Sequence, residues 1–255
     1  MPGVLENKVA IITGAGRGLG RAFAFKYAEE GAKLLLPDIS LEAAEGVANE
    51  IRAKGGQAVA IRTDISDEKA TLEMAEKAVQ QYGSVDILVN NAAIWYGVDS
   101  RPWDDWKVED WDRILRVNLT GTWLCSKAVV PVMKRQSRGK IINIASVVAK
   151  SPAAQFFLPY SCSKGAVYTL TMSLARALGP SGINVNAIAP GLTATEASLH
   201  MADSDKIFEF AMAERAIPRR QEPADLVGTA VFLASEASDF ITGQVIFVDG
   251  GTAIP

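Results

Sequence analysis

The sequence has 255 residues, is 49% hydrophobic and carries a formal net charge of −3, so it is long enough to bury a sizeable core and lacks a basic surface for nucleic acids. Its single histidine, His200, and its two cysteines, Cys125 and Cys162, exclude a histidine-rich metal site and a disulfide framework. Because no apolar run reaches the ~20 residues of a membrane span and no signal peptide is recognisable, we expect a cytoplasmic protein with no metal, membrane or nucleic-acid partner.

Seven short segments rich in valine and isoleucine predict buried β-strands. Their nearly continuous apolar character is typical of parallel strands that are covered on both faces. We place these strands at 8–13, 33–38, 58–64, 85–91, 140–146, 183–190 and 244–250. Helical patterns with capping and glycine stop signals lie between them. The alternation predicts one α/β domain over residues 1–255, a doubly wound, Rossmann-type, seven-stranded parallel sheet with helices on both faces.

The first strand runs directly into a glycine-rich loop, TGAGRGLG, at residues 13–20. Free N–H groups and the helix dipole attract anions at the start of the next helix, and missing Cβ atoms let a phosphate approach the backbone. The pattern is T-G-x-x-x-G-x-G and not G-x-G-x-x-G. It indicates either a dinucleotide pyrophosphate site or a tight turn without ligand. The residues expected in that site are Gly14, Arg17, Gly18, Leu19 and Gly20.

The second strand ends in Asp38, about 20 residues past the glycines, as in dinucleotide-binding folds. Its carboxylate can accept hydrogen bonds from both adenosine ribose hydroxyls and would repel a 2′-phosphate. We therefore expect NAD in preference to NADP, while Arg17 in the loop leaves NADP use open. Asp38 is also suited to cap the following helix, and both roles can coexist.

A possible acid–base pair stands at the start of a long helical segment, YSCSKGAVYTLTMSLARALG. Tyr160 and Lys164 are four residues apart and so share one helix face. A nearby ammonium and a positive nicotinamide ring lower the pKa of a phenol from about 10 toward neutrality, which suits proton exchange with an alcohol. Ser146 ends the fifth strand, at the sheet edge where ligands bind, and could hold the substrate oxygen. Asn118 lies in a helical stretch before that strand.

Together these motifs resemble, in order and spacing, the short-chain dehydrogenase/reductase family, in the form with about the length of this chain. The resemblance covers essentially the whole chain and includes TDIS after the third strand, NNAA at 90–93, VNLTG, Y-x-x-x-K, APGLTAT at 189–195 and ITGQVIFVDGG. It adds to the expected cofactor site Asp64, Ile65, Asn91, Ala92, Ala93, Pro190, Gly191, Thr193 and Thr195.

The resemblance also implies the role of each catalytic residue. Tyr160 would be the acid/base, Lys164 would lower its pKa and hold the nicotinamide ribose, and Ser146 would bind the substrate oxygen. Asn118 would anchor a water that links Lys164 to solvent, and the assembly would be a homotetramer. Two departures stand out: Ala93 replaces a glycine, and the 14-residue step from Ser146 to Tyr160 is one longer than in much of the family.

All five tryptophans fall between residues 95 and 123, after the fourth strand. Beside the active site they predict an apolar pocket for an aromatic or alicyclic secondary alcohol or its ketone, although core or interface packing would explain them equally. The expected pocket residues are Trp95, Tyr96, Val148, Phe156 and Phe157. A substrate lid is expected at about 192–217, with an apolar stripe of Ile207, Phe208 and Ala211 and with His200 as a surface residue.

The leading interpretation is an NAD-dependent alcohol dehydrogenase or ketone reductase that acts on a small-molecule substrate. A 3-oxoacyl thioester reductase of the same family would use the same residues; the basic segment 134–140 is the one candidate surface for an acidic carrier. A non-catalytic NAD-binding regulator would not need Tyr160, Lys164 and Ser146 together.

Overall fold

The computed structural model of the chain describes residues 3–95, 98, 100–201 and 203–253. Seven parallel strands form one sheet, as predicted, and their order is β3-β2-β1-β4-β5-β6-β7. The strands are β1 (Val9–Ile12), β2 (Lys33–Asp38), β3 (Gln57–Arg62), β4 (Ile87–Asn90), β5 (Gly139–Ile144), β6 (Ile183–Pro190) and β7 (Val245–Val248). Each lies within three residues of the segment predicted for it, because nearly continuous apolar runs mark strands that are buried on both faces.

The strand order reverses at β1, which pairs with both β2 and β4. Ile11 lies opposite Leu35 on one side and Leu88 on the other. In open parallel sheets ligands bind at such a reversal, beyond the carboxyl ends of the strands. The reversal therefore places a ligand crevice between the loops that follow β1 and β4.

Helices cover both faces of the sheet. They are α1 (Gly18–Glu29), α2 (Leu41–Ala53), α3 (Glu68–Tyr82), α4 (Val108–Leu115), α5 (Thr122–Gln136), α6 (Leu158–Leu178), α7 (Glu196–Leu199), α8 (Ser204–Ala213) and α9 (Ala224–Ala234). Phe23 and Tyr27 of α1 pack with α9 in one core, and Met74 of α3 packs with Met133 of α5 in the other. Within the described residues, none of these helices has the length and apolar character that crossing a bilayer would require.

Local signals explain where several helices begin and end. The Ser40 hydroxyl accepts a hydrogen bond from the Ala43 N–H at the start of α2, and the Asp67 carboxylate accepts one from the Lys69 N–H at the start of α3. Helix α3 stops at Gly83, which has a φ of 85°. Pro159 stands in the first turn of α6, where its missing N–H costs no hydrogen bond.

Candidate active site

A cavity of about 880 Å³ lies at the predicted crevice, between the glycine loop and the segment that follows β6. It is bounded by most of the residues predicted from the sequence. These are Gly14, Arg17, Gly18, Leu19, Asp38, Asp64, Ile65, Asn91, Ala92, Ala93, Trp95, Ser146, Val148, Phe157, Tyr160, Lys164, Pro190, Gly191, Thr193 and Thr195.

Three predicted site residues do not line this cavity. Gly20 is buried in the first turn of α1, and Asn118 is buried in the helical turn between α4 and α5. Phe156, expected in the substrate pocket, is 45% exposed, because the short 3-10 helix Pro152–Phe156 leaves its ring at the surface and its neighbour Phe157 at the cavity. Tyr96 lies outside the described residues.

The glycine loop can accept no side chain where the backbone is closest. Gly14 has a φ of 66°, and a Cβ there would stand 2.8 Å from the Cα of Ala92. A Cβ on Gly20 would stand 2.1 Å from the Gly14 carbonyl oxygen. The N–H of Gly18, the first residue of α1, donates a hydrogen bond of 3.1 Å to the Glu196 carboxylate, so this helix start already binds an anionic oxygen. The loop thus fits a dinucleotide phosphate.

Polar side chains fix the shape of the loop. The Asp38 carboxylate accepts hydrogen bonds from the N–H groups of Gly16 and Ser40, both at 2.9 Å. Asn91, after β4, donates through its amide to the carbonyls of Thr13 and Gly14 at 2.9 and 3.1 Å. Asp38 therefore stabilises both the glycine loop and the start of α2, and its charged carboxylate lines the cavity.

Ala93 brings no backbone strain. It replaces the glycine that the family pattern has after Asn90, Asn91 and Ala92, and a positive φ there would strain its methyl group. Among the described residues, the non-glycine positions with positive φ are Asn7, Ser137 and Asp203. The departure at Ala93 therefore leaves the local backbone conformation unstrained.

The catalytic candidates meet where β5 ends and α6 begins. Ser146 lies two residues beyond β5, and its side chain shares a hydrogen bond with that of Tyr160. The Lys164 ammonium donates to the Ile144 carbonyl at 2.7 Å and lies 5.7 Å from the centre of the Tyr160 ring. Tyr160 is 8% exposed and Lys164 is 4% exposed. A phenol, a hydroxyl and an ammonium are thereby enclosed together at one end of the cavity.

Burial dominates the electrostatics of this group. It raises the pKa of Tyr160 above its ordinary value, and the hydrogen bond to Ser146 offsets this only in part. Burial also lowers the pKa of Lys164 to about 8. In the structure burial outweighs the other effects on the Tyr160 phenol, so the net shift of its pKa is upward. That the ammonium lowers this pKa together with a bound nicotinamide ring stays a prediction.

Asn118 occupies a wide π-helical turn, Arg116–Gly121, between α4 and α5. Its amide oxygen accepts from the Ile94 N–H at 2.7 Å, and its amide nitrogen donates to the Ile94 carbonyl at 3.2 Å and to the Ser163 hydroxyl at 3.1 Å. The sequence predicted a helical residue here but not these partners. Asn118 joins the loop after β4 to α6, and π-turns of this kind are frequent at functional sites.

Aromatic rings form one wall beside Tyr160. Trp95 packs on the Tyr160 ring with centroids 4.6 Å apart and on Phe157 at 5.3 Å. Of the five tryptophans only Trp95 lines the cavity; Trp103 and Trp123 are exposed, and Trp106 packs against the cluster that contains Tyr160. The cluster of tryptophans in the sequence therefore contributes one pocket residue.

The segment expected to form a lid contains α7 and α8. Its cavity face is Ile207, Phe210 and Ala211, whereas Phe208 is buried beneath it. The sequence analysis missed Phe210, although positions 207, 210 and 211 have the i, i+3, i+4 spacing of one helix face. His200 is exposed, and its ring Nδ1 is hydrogen-bonded to the Glu196 carbonyl.

Both ends of this segment are fastened at its base. The buried guanidinium of Arg215 donates to the Leu192 carbonyl at 2.6 Å and to the Arg219 carbonyl at 2.8 Å. The Ala194 N–H donates to the Gln221 carbonyl at 2.8 Å. The backbone that precedes α7 and the backbone that follows α8 are therefore held together, and the two helices extend from there over the cavity.

Comparison with known proteins gives consistent matches along the chain. A family model described as enoyl-(acyl carrier protein) reductase matches residues 14–253. The chain is 36% identical over 250 residues to (2S)-[(R)-hydroxy(phenyl)methyl]succinyl-CoA dehydrogenase subunit BbsD of Thauera aromatica, covering 98% of both chains. It is 38% identical over 247 residues to the 3-oxoacyl-[acyl-carrier-protein] reductase FabG of Staphylococcus epidermidis, covering 96% of this chain and 98% of that protein. A crystal structure of a short-chain type dehydrogenase/reductase from Mycobacterium marinum superposes with a TM-score of 0.92 at 35% identity, covering 98% of this chain and 97% of that one.

Proposed function

The chain belongs to the short-chain dehydrogenase/reductase family of oxidoreductases, and on that premise we propose that it interconverts a hydrophobic secondary alcohol and its ketone with NAD. The observation that carries the proposal is the enclosed group of Ser146, Tyr160 and Lys164 at the end of the cavity that the glycine loop opens into. Bound NAD would supply the site that accepts or returns the hydride.

The chain's own residues handle the proton. The raised pKa keeps the Tyr160 hydroxyl protonated at neutral pH, so it can donate a proton to a ketone oxygen; in the reverse direction it accepts the alcohol's proton. Ser146 holds the same oxygen by a hydrogen bond and restrains the Tyr160 hydroxyl. The Lys164 ammonium adds a positive charge that stabilises the tyrosine when it has given up its proton.

NAD in preference to NADP follows from Asp38. Its carboxylate lines the cavity in an orientation fixed by two backbone N–H groups. Turning the carboxylate away from the cavity would break these hydrogen bonds. A 2′-phosphate placed against this charge would be repelled, whereas two ribose hydroxyls would find an acceptor. Arg17, which also lines the cavity, is the group that would favour NADP instead.

The aromatic wall supports a hydrophobic substrate. Trp95 and Phe157 give the catalytic end of the cavity an apolar surface, and Val148 adds to it. An aromatic or alicyclic ring would bury its area there while its hydroxyl-bearing carbon meets Tyr160. The name of the Thauera aromatica relative describes a substrate with a phenyl group next to a hydroxyl, which agrees with this choice.

A 3-oxoacyl thioester is the second candidate substrate class. The two relatives described above act, by their names, on acyl-CoA or acyl-carrier-protein thioesters. Such a substrate carries its ketone two carbons from the thioester and would use the same Ser146 and Tyr160. Simple aryl alcohols and 3-hydroxyacyl thioesters therefore belong side by side in one assay.

The test measures NADH formation with a panel of secondary alcohols and 3-hydroxyacyl thioesters, for the wild type and for Tyr160→Phe. We expect turnover by the wild type and a loss of at least about a hundredfold in the variant, because general acid–base catalysis contributes on that order. A wild type that binds NAD but turns over nothing in the panel would favour a non-catalytic regulator.

Trp95→Ala tests the aromatic pocket. We expect kcat/KM for 1-phenylethanol to fall about tenfold relative to that for 2-propanol, since a lost apolar contact in a pocket costs on that order. Phe156→Ala is the matched control, because that ring is largely exposed and does not line the cavity. Equal losses for both alcohols in Trp95→Ala would count against an aromatic substrate.

The assembly and the cellular location are proposed from the family resemblance. We propose a cytoplasmic homotetramer, and light scattering on the purified full chain is the direct test of its mass.

A further inference from the structure

The carboxylate of Glu196 stands at the start of α1, where the proposed function places a phosphate. Its Oε2 accepts the 3.1 Å hydrogen bond from the Gly18 N–H. An added Cβ on Gly18 would lie 3.8 Å from the same oxygen and 3.7 Å from the Thr195 side chain, so α7 begins directly over the loop. Both Gly18 and Glu196 line the cavity.

A carboxylate and a phosphate cannot use this position together. Both are anions that are stabilised by the same free N–H and by the positive end of the helix dipole. When one occupies the N–H, the other meets like charge at short range, which is unfavourable. Glu196 and a dinucleotide phosphate are therefore competitors for one donor.

The competition is weak enough to be reversible. Glu196 is exposed, and contacts between charges at the surface contribute little to stability. Its backbone is held by the capping pair of Thr195 and Ser198, in which the Ser198 hydroxyl accepts from the Thr195 N–H at 3.0 Å. A rotation of the Glu196 side chain is sufficient to vacate the N–H while α7 stays in place.

We infer that Glu196 is a built-in competitor for the cofactor phosphate, which lowers the affinity for the dinucleotide. The inference rests on the proposed function, because it assigns the Gly18 N–H to a phosphate.

The experiment measures binding of ADP-ribose and of adenosine to the full chain by titration calorimetry. Glu196→Gln removes the charge and keeps the size of the side chain. We expect the Kd for ADP-ribose to fall about three- to tenfold, in line with the strength of hydrogen bonds to charged groups, and the Kd for adenosine, which lacks phosphate, to stay the same. Glu209→Gln is the control, because it makes the same charge change on the exposed face of α8, away from the cavity.

Three results would overturn the inference: an unchanged or raised Kd for ADP-ribose in Glu196→Gln, an equal gain for adenosine, or an equal gain in Glu209→Gln. A wild type that binds no ADP-ribose at all would instead contradict the proposed function. The two failures are therefore distinguishable in one set of titrations.

Discussion

At the scale of single residues, burial decides the charge states of Tyr160 and Lys164 at the candidate active site. The pKa of Tyr160 is raised and that of Lys164 is lowered to about 8, and both shifts are caused mainly by the loss of water around the charged form. The phenol is thus protonated and the amine charged at neutral pH. This is the combination that donates a proton to a ketone.

The lowered pKa of Lys164 predicts how ketone reduction depends on pH. The ammonium is present below about pH 8 and is lost above it, whereas Tyr160 stays protonated over the same range. We expect kcat/KM for reduction to be level from pH 6 to 7.5 and then to fall, approaching tenfold per pH unit. Steady-state rates across pH 6–9.5 would show this.

Lys164→Arg is the control for that profile. Arginine keeps its charge over the whole range, so the variant should be slower but should lose the fall above pH 8. A wild-type profile that is level to pH 9.5 would mean that the charge of Lys164 has no part in the reaction.

Asp38→Ala tests the source of cofactor preference. Removing the carboxylate should raise kcat/KM with NADP relative to NAD by about tenfold or more, because repulsion between like charges is removed. Asp38→Asn separates this effect from support of the loop, since its amide oxygen can still accept from Gly16 or Ser40. A wild type that already prefers NADP would show that Arg17 outweighs Asp38.

Single residues also show where prediction from the sequence stops. Gly14 and Gly20 were predictable, because a turn and a close approach admit no Cβ. The surface position of Phe156 depends on how a short 3-10 helix turns, and adjacent aromatic residues carry no signal for that. The upward effect of burial on the pKa of Tyr160 could not be predicted, because the burial of a side chain is a property of the folded chain.

At the scale of elements, the π-turn between α4 and α5 connects two parts of the candidate active site. It brings the Asn118 amide against both backbone polar groups of Ile94 and against Ser163, so one side chain couples the loop after β4 to α6. The sequence motif VNLTG marks Asn118 but contains nothing that distinguishes a π-turn from an ordinary helix.

Asn118→Ala should therefore destabilise the protein as well as impair turnover. The part-buried Ile94 N–H loses its acceptor, which costs about 1 kcal/mol or more in the free energy of unfolding. Urea denaturation measures the change. Asn49→Ala on the exposed face of α2 is the control and should stay within about 0.5 kcal/mol of the wild type. If the two variants unfold at the same urea concentration, the hydrogen bonds of Asn118 do not contribute to the stability of the protein.

At the scale of the whole molecule, the sheet was the most predictable feature. Seven apolar runs separated by helical patterns fix a doubly wound parallel order, because right-handed crossovers leave few alternatives. The segment over the cavity was predictable only as a region of about 26 residues. Which of its side chains face the cavity depends on how α7 and α8 lie over it, and Glu196 and Phe210 could be identified only from the structure.

By donating to the Leu192 and Arg219 carbonyls, Arg215 holds together the two ends of the segment that lies over the cavity. Substitutions between Leu192 and Arg219 can change which substrates the cavity accepts while the strands of the sheet keep their packing. Evolution or protein engineering can therefore replace this segment as one unit, provided that the arginine and its two carbonyl partners are kept.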